Sequence, residues 1–246
     1  MLSVFAGGAL FGERHGPAPM RVLLLHGWGR SHRDFDRVVQ ALDLPSLALD
    51  LPGFGASPPP PQRWTSRDFA VAIAPVLAEA VEPVIIVGHS HGGRVAVELA
   101  AMAPERVRGL VLIGAPLLRS EAASRPALSY RALRWLNERG IYSDERMERR
   151  RQRSGSADYR NSSGVMRETM VTVVNESFEG ALSAIYCPVR LLWGANDLDV
   201  PVAIAEAAQG VLGSSDVTVV ALDGVGHLVP TSAPNAVVAA IKDLCT

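Results

Sequence analysis

Six short runs rich in Val, Leu and Ile recur along the chain: RVLLLHG from Arg21, SLALDLPG from Ser46, PVIIVGHS from Pro83, RGLVLIGAP from Arg108, VRLLWG from Val189 and VTVVALDG from Val217. Continuous apolar runs without polar alternation mark strands buried on both faces, as in a parallel sheet. Helical patterns lie between them. TSRDFAVAIAPVLAEA sets Thr65 three residues before Asp68, a capping-box spacing, and PVAIAEAAQGVL opens on Pro201, which suits a first helical position. APNAVVAAIKDLC near the end repeats its apolar residues at the helical period. Strand then helix, repeated, predicts a doubly wound, mostly parallel α/β sheet, and 246 residues suit one such domain. Right-handed crossovers put every strand-to-helix turn on one edge of that sheet, so chemistry is expected there.

The alternation fails between residues 117 and 183. LSYRALRWLNERG, YSDERMERRRQR and SSGVMRETMVTVVNES read as helices with no strand between them. The expected division is an α/β core of residues 1–116 and 184–246, with 117–183 inserted as a helical cap over the catalytic edge. Met147, Met166, Met170, Trp135 and Leu136 are expected in the core or on the underside of the cap, some of them lining an apolar acyl pocket.

Composition narrows the setting. A net charge of −1 offers no general attraction to nucleic acid or to an anionic membrane. Neither is expected as a partner. The two cysteines, Cys187 and Cys245, are too few for a disulfide framework and lack metal-knuckle spacing, so a reduced, cytoplasmic setting is expected. The N-terminal MLSVFAGGALFGERHG lacks a basic start and is broken by Gly7 and Gly8, which makes it a poor signal peptide and a better edge hairpin. No apolar run approaches the roughly 20 residues of a membrane helix, and a soluble protein is expected.

Gly88-His89-Ser90-His91-Gly92 sits where a strand pattern gives way to a helix pattern. A turn that exposes a side chain at its tip forces an unfavourable backbone conformation, and glycines on either side make room for it. The pattern is that of a nucleophile elbow carrying Ser90; the competing reading is a tight βα turn in which Ser90 only caps a helix. A serine needs a base and a third group to orient that base. His227, on the glycine-rich loop DGVGHLVP after the last strand, is the only histidine C-terminal to the Ser90 motif. Asp197 and Asp199 both follow the strand VRLLW; Asp197 comes sooner, whereas Asp199 stands nearer a helix start, where a carboxylate has an ordinary capping task. Oxyanion donors are expected from the amides of His91, just after the serine, and Trp28, in LLLHGWGR, with His26 holding that loop by hydrogen bonds to its backbone. His26, His89 and His91 do not read as a metal cluster, because no Cys or carboxylate completes a ligand set.

Four ordered motifs, HGWG at His26, DLPGFGAS at Asp50, GHSHGG at Gly88, and WGANDLDVP followed by GVGHLVP, together resemble the α/β-hydrolase superfamily of serine carboxylesterase type. The resemblance runs from about Arg21 to the C-terminus, apart from the cap. It carries the nucleophile onto Ser90, the acid onto Asp197, the base onto His227 and the oxyanion donors onto Trp28 and His91. DLPGFGAS is expected to be a structural turn. Serine at the elbow argues against the dehalogenase and epoxide hydrolase branches, which use aspartate there, and the HGGPG loop of prolyl aminopeptidases is absent. The motifs are most similar to small capped carboxylesterases, including the branch that cleaves the methyl ester of pimeloyl groups held on acyl carrier protein.

The resemblance implies hydrolysis of a small-molecule ester or thioester through an acyl-enzyme on Ser90, with no cofactor and no metal. It also raises acyl carrier protein as a partner for the basic stretch DERMERRRQR, through Arg149 and Arg150, a stretch that otherwise reads as a solvated helix with i,i+4 ion pairs. Two other classes remain open at this stage. The same triad serves lyases and C–C bond hydrolases, and the fold also hosts non-catalytic ligand receptors.

Overall fold

In the computed structural model the described residues are 1–118 and 157–245, together with Trp135, Arg139, Ser143 and Arg146. The strands are β1 (Leu2–Phe5), β2 (Leu10–His15), β3 (Val22–Leu25), β4 (Ser46–Asp50), β5 (Val84–His89), β6 (Val107–Ile113), β7 (Val189–Gly194) and β8 (Val217–Leu222). They form one sheet in the order β1-β2-β4-β3-β5-β6-β7-β8. β1 and β2 make the N-terminal hairpin and β2 pairs antiparallel with β4; every pair from β4 to β8 is parallel.

The helices are α1 (Asp36–Ala41), α2 (Ser66–Ala78), α3 (His91–Met102), α4 (Ala157–Asn161), α5 (Gly164–Val173), α6 (Glu179–Ser183), α7 (Ala203–Gln209), α8 (Val229–Ser232) and α9 (Pro234–Asp243). Alternate side chains of the buried strands feed two apolar layers, which is why the runs show no polar alternation. Leu23, Leu25, Ile86, Leu112 and Trp193 pack with Phe69 and Ile73 of α2 and Val95 and Leu99 of α3. On the other face Val22, Leu24, Val87, Val111 and Ile113 pack with Val38 of α1 and Val237 and Ile241 of α9. Each such side chain contributes about 1.5–3 kcal/mol on burial.

Two expectations need correction. The VTVVALDG run forms β8, but as an edge strand with alternating half-buried and exposed residues; only one neighbour pairs with it, so an apolar run need not be covered on both faces. Pro201 does not begin its helix: α7 starts at Ala203, and the amides of Ile204 and Ala205 bond back three residues to Pro201 and Val202, a tighter lead-in turn. The α2 start follows the pattern read from sequence, with Thr65 and Asp68 capping each other reciprocally.

β3 lies between β4 and β5, so the chain leaves its C-terminal end toward one side of the sheet and leaves β5 toward the other. Crevices for ligands form at such a switch point. Here the loops beyond β3 and β5 carry Trp28 and Ser90. The described helices that follow β6 lie against this rim. Trp28 Nε1 donates to Ser162 Oγ at 3.1 Å, and the Trp64 amide donates to Thr169 Oγ1 at 3.1 Å. Met147, Leu136, Arg149 and Arg150 lie outside the described residues. Trp135 is 49% exposed, with the Arg139 guanidinium carbon 3.6 Å from its ring centre, so it is not a core residue. Among the described residues, no helix is long and apolar enough to cross a membrane.

Candidate active site

Ser90 occupies the turn between β5 and α3 with φ 50° and ψ −113°, a region that costs a non-glycine residue about 1–3 kcal/mol. The surrounding packing holds it there. Its amide donates to Ile113 O at 2.8 Å, and its carbonyl accepts from Gly93 at 3.0 Å. A Cβ on Gly88 would stand 2.5 Å from Gly92 O, across the turn; a Cβ on Gly92 would stand 2.2 Å from Leu25 O, at the end of β3. The first glycine therefore closes the elbow, and the second lets α3 approach the neighbouring strand.

The loops after β7 and β8 are stitched together by their backbones. Ala195 N donates to Leu222 O and Asn196 N to Val225 O, each at 2.9 Å. Trp193, fully buried, donates through Nε1 to Val200 O at 2.9 Å and anchors the far side of the first loop. This brings Asp197 and His227 into contact: Asp197 Oδ2 accepts from His227 Nδ1 at 2.7 Å. The other oxygen, Oδ1, accepts from the amides of Asp199 at 2.9 Å and Val200 at 2.8 Å. Burial pushes the Asp197 carboxyl up, but the hydrogen bond from His227 and the Val200 and Asp199 amides outweigh it, and its pKa lies below the ordinary value. Because the carboxylate accepts, His227 carries its proton on Nδ1, leaving Nε2 as the basic nitrogen. Asp199 is exposed; with α7 starting at Ala203, it does not cap that helix.

His227 and Ser90 line one pocket of about 380 Å³, together with Trp28, His91, Arg94 and Met170. Trp28 and His91 pack edge to face, ring centres 5.2 Å apart, and among the described residues neither backbone amide has a hydrogen-bond acceptor. An amide at the start of α3 also lies at the positive end of the helix dipole.

The other histidines have separate tasks. His26 donates through Nδ1 to Gly27 O at 2.7 Å and accepts from the Leu51 amide on Nε2 at 3.0 Å, so both ring nitrogens are engaged by backbone. Burial lowers its pKa to about 4. His89 donates through Nε2 to the backbone carbonyl of His227 at 2.9 Å, and burial, then the charge of His227, lowers its pKa to about 4. His91 is held between Trp28 and Phe69 with neither ring nitrogen bonded; burial, then the charge of Arg94, drives its pKa well below the usual range. The three do not form a ligand set. Asp50 has the structural role expected of its turn, accepting from the amides of His32 and Ala56 and from His32 Nδ1.

Three residues of the site were not singled out from sequence. Gly114, just after β6, has φ +49°, and a Cβ there would lie 3.2 Å from His227 Nδ1 and 3.3 Å from Asp197 Oδ2. The signal was present in the IGAP that ends the β6 run on the same rim. Arg94 and Asp158 also line the pocket. Nothing in the sequence distinguishes them from surface residues of their helices.

An eight-stranded, mostly parallel sheet with a strained serine and an Asp–His pair on one rim defines an α/β hydrolase. A sequence model of the alpha/beta hydrolase family matches residues 22–241, and the chain belongs to that family. An esterase of Mycobacterium tuberculosis is 41% identical over 108 residues, which cover 43% of this chain and 36% of that one. A pimeloyl-[acyl-carrier protein] methyl ester esterase of Neisseria meningitidis is 39% identical over 97 residues, covering 39% of this chain and 36% of the relative. These matches therefore span little more than a third of either relative's length. The solved structure of a hydrolase from Pseudomonas aeruginosa superposes with a TM-score of 0.73 at 23% identity, covering 100% of this chain and 97% of the other, and shares the fold.

Proposed function

We propose that this protein is a serine hydrolase of carboxylic esters or thioesters, with Ser90 as nucleophile, His227 as base, Asp197 as the group that orients His227, and the Trp28 and His91 amides as oxyanion donors. The observation that carries the reading is the joint lining of one pocket by the strained Ser90 and by His227, whose Nδ1 is bonded to a buried carboxylate. Ser90 Oγ attacks the ester carbonyl as His227 Nε2 takes its proton, forming a C–O bond and a tetrahedral oxyanion. The oxyanion is stabilised by the two amides, each such donor being worth about 2.7–4 kcal/mol. Collapse breaks the bond to the alcohol, which leaves with the proton from His227. Water, deprotonated by His227, then releases the acid from Ser90 by the same steps in reverse. Residues 117–183 act as a cap in this reading. Their described helices, resting on Trp28 and Trp64, support it.

The test is a series of p-nitrophenyl esters of increasing chain length, run with a fluorophosphonate probe on the protein and on Ser90→Ala. Turnover and covalent labelling in the native chain, both abolished by the substitution, are expected. Labelling of Ser90 with no turnover of any simple ester would transfer the triad to lyase or C–C hydrolase chemistry. Undiminished turnover by Ser90→Ala would overturn the assignment.

A further inference from the structure

Arg94 is a cation buried in the wall of the pocket. It follows Ser90 by four residues on α3, about 6 Å of helical rise, so it stands one turn from the elbow. It is only 9% exposed, and its neighbours on the helix, Val95, Ala96 and Val97, are fully buried. An ionised head group in such a place is costly unless an anion and hydrogen bonds meet it. The fold supplies part of this. Nε donates to Pro116 O at 3.1 Å, and the guanidinium carbon lies 5.9 Å from the Phe178 ring centre.

Among the described residues the anion is missing. Among the described residues no carboxylate forms an ion pair with Arg94, whose hydrogen bond runs from Nε to Pro116 O. The acid that acts on it electrostatically is Glu176, but Glu176 is committed elsewhere: its oxygens accept from the Ser66 amide at 2.9 Å and from Ser66 Oγ at 2.5 Å. Burial lowers the Arg94 pKa to about 10, which leaves it charged at neutral pH. A paired fork of N–H donors is the geometry that binds a carboxylate through both oxygens.

Two carboxylates, Asp158 and Asp199, line the same pocket. Asp158, whose carboxyl is raised mainly by burial and then by Asp199, lies near Gly29 and feels the charges of His227 and Arg30. An anionic group is repelled by these carboxylates and drawn to Arg94, and Met170, Val173 and Val174 give the wall apolar surface. We infer that the pocket takes esters bearing a carboxylate a short chain away from the reacting carbonyl, half-esters of small dicarboxylic acids, and that Arg94 is the residue that holds this carboxylate. The inference deepens the esterase reading and rests on it for turnover, though not for binding.

Two measurements separate the failure of one from the failure of the other. The first compares kcat/KM for mono-p-nitrophenyl glutarate and adipate with that for the corresponding methyl-capped, uncharged diesters. The native protein should prefer the charged member of each pair, and Arg94→Gln should lower that ratio by roughly 100-fold, with Arg94→Lys falling between. The second measures binding of free glutarate and adipate by calorimetry to Ser90→Ala, with and without Arg94→Gln, each variant checked for folding by circular dichroism. Binding should be present in the first and lost in the second. A native protein that turns over the neutral diesters with no preference for their charged partners overturns the inference and leaves the esterase reading standing. Carboxylate binding that depends on Arg94 in a chain with no ester turnover keeps the anion site and removes the esterase. Dicarboxylate binding indifferent to Arg94→Gln removes the anion site.

Discussion

His89 and His227 are coupled through backbone as well as by ring contact: His89 Nε2 donates to the His227 carbonyl at 2.9 Å, and the two ring centres lie 4.9 Å apart. The residue before the proposed nucleophile thus holds the loop that carries the proposed base. A side chain buried at the end of β5 ties the position of residue 227 to the elbow itself.

His89→Leu should therefore act on chemistry more than on binding. It removes the donor and frees the 227 loop, and a displacement of about 1 Å at a catalytic group costs on the order of 100-fold. The expected outcome is a kcat lowered by roughly 10- to 100-fold with KM within about twofold. Steady-state kinetics on a p-nitrophenyl ester, with circular dichroism to check the fold, make the comparison. An unchanged kcat would show that the His227 loop is fixed by its other contacts alone.

Contact favours one of the two candidate acids. Asp197 touches His227 Nδ1, whereas Asp199 is exposed and contributes its backbone amide to Asp197 Oδ1. Asp197→Asn replaces an acceptor by a group that can donate, so His227 is stabilised in the wrong tautomer, and kcat should fall by about 10⁴. Asp199→Asn keeps the amide that matters and should stay within about threefold. Equal losses in the two variants would mean that Asp199 shares the role.

Most of the architecture could be read in the apolar runs because the middle of a strand buried on both faces leaves little room for polar residues, and the central residues of β3, β5, β6 and β7 obey that rule, with Arg108, Arg190 and His89 confined to strand ends. β8 breaks it in the opposite sense, since Val217 to Leu222, apolar except for Thr218, form an edge strand that solvent reaches. Ser90 and its glycines were legible because the elbow forbids a Cβ at Gly88 and Gly92 for local reasons. Arg94 was not. In GRVAVELAAM a lone arginine fits the polar side of an amphipathic helix, and only the packing of α3 against β3, β6 and the chain around Pro116 turns that side into a pocket wall. Asp158 and Gly114 escaped for the same reason: their roles depend on which loops meet.

Glycine at position 92 should prove indispensable to packing before it matters to chemistry. A methyl group there would stand 2.2 Å from Leu25 O and 2.6 Å from His26 O, both backbone atoms that cannot turn aside. Gly92→Ala must push α3 away from β3 or distort the loop that carries Trp28. Overpacking of this kind costs about 1–3 kcal/mol, which for a chain of this size lowers the melting temperature by roughly 2–12 °C. Thermal denaturation followed by circular dichroism measures it, and a melting temperature equal to that of the native chain would contradict the close approach.

Three buried imidazoles, His26, His89 and His91, make the fold sensitive to acid, the first two in a defined window. His26 and His89 are kept neutral chiefly by burial, each with a pKa of about 4, whereas in the unfolded chain a histidine binds its proton near pH 6.5. Between about pH 4 and 6.5 the unfolded chain therefore holds more protons, and stability rises with pH. The contribution of each residue is fully present above that window, is on the order of 3 kcal/mol, and is lost as pH falls to about 4. Asp197 acts in the same direction further down: its folded pKa is depressed, so its share persists above the unfolded carboxylate value and disappears as pH falls through the folded one. Urea unfolding at pH 7 and pH 5 should show the native chain losing about 2 kcal/mol for each of the two histidines. In His26→Gln, whatever the substitution costs at neutral pH, the difference between the two pH values should shrink by about 2 kcal/mol. A difference that stays the same would mean that His26 takes up its proton as readily in the folded chain as in the unfolded one.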